Sequence, residues 1–163
     1  MITNDAVEQT CAEVSLFTEE QLASEFERFF KAQPELCDFI VELTNESDQR
    51  IQELSLYLSY MILRAVEGTH AGEVPVVPHD TIENAFRTSE IWIERINEAA
   101  NPEMQSSILA NLATDTEPHL LQYVISEINQ PLDDGTQLGD EQKGEVFFVL
   151  RTVITALSGQ NLE

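Results

Sequence analysis

The sequence predicts an all-α fold, a single-domain bundle of about six or seven helices packed around a buried central helix at about residues 47–67. Apolar residues recur at helical spacing along the chain, and no segment alternates with the period of two that a half-buried strand shows. Prolines, glycines and capping residues separate segments of helical length. With 163 residues and 42% hydrophobic content, the chain can fill one core. We expect the domain at residues 17–158, with an N-terminal segment (1–16) and a C-terminal tail (159–163) outside it.

The first two predicted helices have recognisable starts. Thr18 and Gln21 have the spacing of a capping box, and Phe17 precedes them as a hydrophobic staple. The apolar stripe that follows consists of Leu22, Phe26, Phe29 and Phe30. Pro34 suits the first position of the second helix, because its missing N–H would have no helical partner there.

The third predicted helix is the central one. Ser47 can cap its start, and Gly68 is expected to end it at about Glu67 in a left-handed conformation. From Leu54 to Val66 the segment is apolar on almost every side, so other helices must surround it.

A loop from Gly68 to Asp80 contains two prolines and two histidines, and four further helices are predicted beyond it. They begin near Asp80, Asn101 and Thr116, with the last at residues 146–157. The last segment is rich in strand-favouring residues. We interpret it as a helix because residues 140–143 supply a charged first turn and no second strand run could pair with it.

Charge bounds the choice of partner. Thirty acidic residues face eight basic ones, giving a formal charge of -22. Direct binding to nucleic acid or to anionic membranes is disfavoured, because both depend on Lys and Arg. A basic protein surface is the favoured target. Solubility alone would also explain an acidic surface.

The cysteines and the lack of a leader indicate the compartment. Cys11 and Cys37 form no CxxC pair, which favours a reducing environment. No secretory signal is visible, and the longest apolar stretch is too short to span a bilayer. We expect a cytoplasmic protein without a cofactor.

Common catalytic and nucleotide-binding motifs are absent, and the histidine loop is the remaining metal candidate. A mononuclear site could combine His70 and His79 with a carboxylate from Glu73 or Asp80. Exposed loop histidines are the alternative interpretation.

Two arginines lie alone within the most apolar segments, Arg64 and Arg151. A guanidinium keeps its charge, so a buried one needs a carboxylate or several carbonyls. One explanation is a salt bridge to a neighbouring helix, and the other is a pocket that holds a ligand anion. Tyr60 and Trp92 are candidate aromatic members of such a pocket.

These features lead to three functional hypotheses. The first is a non-enzymatic interaction protein that binds a basic protein as an adaptor, an inhibitor or an immunity-type antidote. The second is a mimic of nucleic-acid charge, which requires carboxylates in a regular stripe. The third is a small-molecule- or metal-binding protein, or an enzyme, with its site near Arg64 or in the loop at 68–80.

Overall fold

A computed structural model describes residues 2–70, 74–98, 117–132 and 135–158, and these residues form seven helices and no strand. The helices are α1 (Asn4–Ser15), α2 (Glu19–Ala32), α3 (Pro34–Leu43), α4 (Gln49–Thr69), α5 (His79–Glu98), α6 (Pro118–Ile128) and α7 (Asp140–Ser158). The predicted all-α, single-domain bundle is confirmed. The helix predicted to begin at Asn101 and the tail at 159–163 lie outside the described residues.

Helix α1 was not predicted, since the sequence analysis placed residues 1–16 outside the domain. Thr3 caps it, accepting a hydrogen bond from the N–H of Ala6. One face, with Val7 and Val14, is buried against α4 and α6. The amide of Ile2 also donates to a carboxylate oxygen of Glu117, 2.7 Å away and buried. The first residues are therefore part of the core.

Helices α2 and α3 start as predicted. Thr18 Oγ1 accepts from the N–H of Gln21 at 3.1 Å, and Gln21 Oε1 accepts from the N–H of Thr18 at 2.9 Å, which completes the capping box. Pro34 opens α3. Between them, the buried amide of Gln33 bonds to both Pro75 and Val77 and fixes the loop before α5.

Helix α4 is the predicted central helix, with different ends. Asp48, not Ser47, caps it through the N–H of Arg50, while Ser47 donates to Glu145 on α7. The prediction that Gly68 ends the helix is wrong, because α4 continues to Thr69 and ends at His70 in extended backbone. Among the described residues only Gly135 is a glycine with positive φ.

Helix α7 is a second central helix. It packs against α3, α4, α5 and α6, and nearly every residue from Val149 to Leu157 is buried. The Thr152 and Thr155 hydroxyls donate to carbonyls one turn earlier, so these residues meet their hydrogen-bonding needs inside a helix. Burial on all sides therefore overrides the strand preference of Val, Ile and Thr.

Candidate functional site

Arg64 lies in an ion-pair network, defined here as Glu13, Glu25, Arg28, Tyr60, Arg64 and Glu67. Its Nη1 donates to Glu25 Oε1 at 2.5 Å, and its Nη2 donates to Glu13 Oε2 at 3.3 Å. The guanidinium carbon lies 4.8 Å from the centroid of the Phe17 ring. Arg64 Nε is buried without an acceptor among the described residues. Arg64 thus joins α4 to α1 and α2, as the salt-bridge explanation expects.

Arg28 supplies the second cation of the network. Its Nε donates to Glu25 Oε2 at 2.9 Å, and its two terminal nitrogens bond to the two oxygens of Glu67 at 2.7 and 2.9 Å. Paired donors of this kind match the geometry of a carboxylate and strengthen the contact. Glu67 on α4 is therefore engaged by α2.

These contacts set the protonation of Glu25 and Tyr60. Hydrogen bonding from Arg28 is the main cause that holds the pKa of Glu25 below its usual value, against the opposing effect of burial. The Tyr60 hydroxyl donates to Glu25 Oε1 at 2.9 Å. Burial, followed by the hydrogen bond to Glu25, raises the pKa of Tyr60 to about 12. Tyr60 is thus a neutral donor at physiological pH.

The structure brings Arg151 and Trp92 together in a buried cluster between α5 and α7. Arg151 is 4% exposed, with its guanidinium carbon 5.1 Å from the Trp92 ring centroid. Its Nη1 donates to Ser89 Oγ at 3.1 Å, and the hydroxyls of Ser89 and Thr152 are 3.0 Å apart. Trp92 Nε1 is buried without an acceptor in the described part of the chain. Nothing in the sequence pointed to Ser89.

The metal candidates lie around the loop before α5. His79 begins α5, and its Nδ1 is 3.9 Å from Glu35 Oε2, with both side chains more than half exposed. Asp80 is an exposed residue of the first turn of α5, and His70 caps α4. Glu73 lies outside the described residues. Within the ranges that the structure describes, no group of three or more His, Cys, Asp or Glu could hold a metal ion.

A groove of about 680 Å³ runs between α4 and the C-terminal end of α6; we call it the α4/α6 groove. Its walls combine apolar and charged side chains, which are Arg50, Glu53, Leu54, Tyr57, Glu127, Gln130, Pro131 and Leu132. Burial raises the pKa of Glu127 by removing the carboxylate from water. None of these residues was a candidate site residue in the sequence, since their approach depends on how α6 packs.

Exposed carboxylates outnumber exposed basic side chains in the described part of the chain. Exposed carboxylates lie on α1, α2, α3, α4, α5 and α7, at Asp5, Glu8, Glu13, Glu19, Glu20, Glu27, Glu35, Asp38, Glu42, Glu53, Asp80, Glu83, Glu90, Glu94, Asp140 and Glu141. The exposed basic residues of the described part are Lys31, Arg50, Arg87 and Arg95. Arg28 and Arg64 are half-buried in the network, and Arg151 is in the core.

Comparison with protein-family models, curated proteins and solved structures found no match for this chain. None of the described helices has the length and apolar character needed to cross a membrane.

Proposed function

We propose that this chain is a non-enzymatic acidic protein that binds a basic protein partner, in an adaptor, inhibitor or immunity-type role. One observation carries the proposal. Arg28, Arg64 and Arg151 are drawn into helix contacts or the core, whereas carboxylates remain exposed on most of the described helices. The charged side chains exposed in the described part of the chain are therefore mostly carboxylates, with few cations among them.

Such a surface acts on encounter as well as on affinity. A one-signed field raises the association rate of an oppositely charged protein and disfavours acidic partners. Salt shortens the reach of this field, from a Debye length of about 10 Å at 0.1 M to about 3 Å at 1 M. We therefore expect added salt to weaken the binding of this chain to its basic partner strongly.

The candidate pocket residues support the interaction role over a ligand-binding one. Arg64 and Tyr60, which could have held a ligand anion, are both bonded to Glu25. The carboxylates of the chain itself thus occupy the positions that a ligand would take.

Affinity isolation from extract of the native host tests the proposal. Purified chain is immobilised and exposed to extract at about 0.1 M and about 1 M salt, which differ threefold in Debye length. We expect basic proteins to be enriched at the lower concentration and lost at the higher. The enriched protein is then purified, and its association rate with the chain is measured across the same salt range. Enrichment of acidic proteins only, or a rate that salt does not change, would contradict the proposal.

The same reconstituted pair distinguishes a mimic of nucleic acid from other inhibitors. Duplex DNA is added as a competitor to the bound pair. If the partner binds DNA and DNA displaces the chain, the mimic hypothesis gains support. A partner that DNA does not displace leaves a general charge-based interaction.

A further inference from the structure

We propose that the α4/α6 groove receives an arginine side chain of the basic partner; this inference rests on the proposed function. The groove joins apolar walls to two carboxylates, Glu53 from α4 and Glu127 from α6. Such a combination suits a side chain with a long aliphatic stem and a charged end.

The walls fit a guanidinium in particular. Tyr57 contributes an aromatic ring to the lining, and Leu54, Pro131 and Leu132 add apolar surface. A planar guanidinium can stack on an aromatic ring and bond to a carboxylate with two parallel N–H groups, whereas an ammonium group cannot do the second.

Glu25 and Glu127 differ in whether the described part of the chain supplies a cation to the carboxylate. Both are partly buried glutamates between helices. Glu25 receives Arg28 and Arg64, which hold its pKa low. The carboxylate of Glu127 has no hydrogen bond or ion pair within the described residues, and burial raises its pKa. A guanidinium entering the groove would give Glu127 the compensation that Glu25 has from its own chain.

Arg50 is the one cation among the lining residues that the structure describes, and its guanidinium is already engaged. Its Nη2 is 3.0 Å from Asp48 Oδ2, and its Nη1 donates to Thr136 Oγ1 at 3.0 Å. Asp48 balances its charge, so Glu53 and Glu127 still give the groove a negative balance. An incoming arginine therefore meets complementary charge.

A titration followed by amide NMR shifts tests the inference. The probe is a capped Gly-Arg-Gly peptide, and the matched control carries citrulline, which has a similar shape without the charge. We expect saturable shifts at residues 53–57 and 127–132 with the arginine peptide only. Glu127→Gln should weaken binding about tenfold, as expected for the loss of about 1.4 kcal/mol from a charge-assisted contact.

Glu42→Gln is the control variant, because it removes one exposed acid from α3, away from the groove lining. It should leave the peptide affinity unchanged. Equal shifts around all exposed acids, equal binding of a Gly-Lys-Gly peptide, or wild-type affinity in Glu127→Gln would overturn the inference. Glu127→Gln removes an uncompensated charge, so its unfolding midpoint, measured alongside, should not fall.

The two proposals can fail separately. If the reconstituted basic partner binds Glu127→Gln with the affinity it has for the wild type, the α4/α6 groove does not receive the partner's arginine, and the proposed function stands. If no basic partner is found, the peptide titration still reports on the groove.

Discussion

Glu25 joins α2 to α4 by accepting from three donors. Its two oxygens accept hydrogen bonds from Arg28, Tyr60 and Arg64. Removing one partner of such a half-buried arrangement leaves the others without their counter-charge, which costs more than an exposed salt bridge is worth.

We expect Glu25→Gln to lower the free energy of unfolding by about 1–3 kcal/mol at neutral pH, the range for leaving a buried donor without its acceptor. The folded-state pKa of Glu25 is lowered below the ordinary value of 4.5. Its contribution is therefore complete above that value and is lost as pH falls through the lowered pKa. The difference between wild type and variant should be constant near neutral pH and shrink in acid. Urea unfolding at several pH values measures it.

Glu27→Gln is the matched control, because Glu27 is exposed on the same helix. Its effect should stay within about 0.5 kcal/mol, as for ordinary surface changes. A Glu25 variant that matches this control, or a difference that grows in acid, would show that the network does not stabilise the fold.

Sequence could identify the arginines of these clusters but not their partners. Arg64 and Arg151 stood out as single cations in apolar segments. Glu25 has one local partner, Arg28 three residues later, but the contact to Arg64 that joins α2 to α4 spans 39 residues of sequence. Ser89 carries no local signal, because its partner Arg151 lies 62 residues away. Glu127 is the same case, since only the packing of α6 on its neighbours makes it half-buried.

At the scale of elements, local chemistry determined most helix starts. The capping box at Thr18 and the proline at the start of α3 are read from a few adjacent residues, and both were predicted correctly. Helix α1 was missed because most of its residues are polar and only three of them are buried. Those three are buried by contact with α4 and α6, which the local sequence does not show. The helix end predicted at Gly68 was wrong because a glycine permits a left-handed conformation but does not require one.

Two glycine substitutions distinguish a glycine inside a helix from one in a left-handed conformation. Gly68 lies inside α4 with open space where a Cβ would be, so Gly68→Ala should raise the free energy of unfolding by about 0.5–1 kcal/mol. Gly135 has a φ of 83°, so Gly135→Ala should lower it by about 1 kcal/mol. Urea unfolding measures both. A destabilised Gly68→Ala would mean that the helix does end there.

For the whole molecule, the formal charge of -22 implies self-repulsion in the folded state. Added salt should relieve it. We expect the melting temperature to rise by about 2–4 °C between about 0.01 M and 0.1 M salt, equivalent to about 1 kcal/mol. Scanning calorimetry measures the change.

A variant with four exposed acids neutralised, Asp5→Asn, Glu20→Gln, Glu42→Gln and Glu90→Gln, should show a smaller rise. A melting temperature that falls with salt would instead mean that ion pairs such as those of Arg64 outweigh the repulsion.

The hydrogen bond from Ile2 to Glu117 joins residues that are far apart in the sequence, so it can form only late in synthesis. The ribosome must add more than a hundred residues before this partner of Ile2 exists. Until then, the apolar side of α1 has α4 to pack on but not α6. Until α6 has been synthesised and has packed, helix α1 therefore exposes part of its apolar side, and a chaperone that binds such surface would find it there.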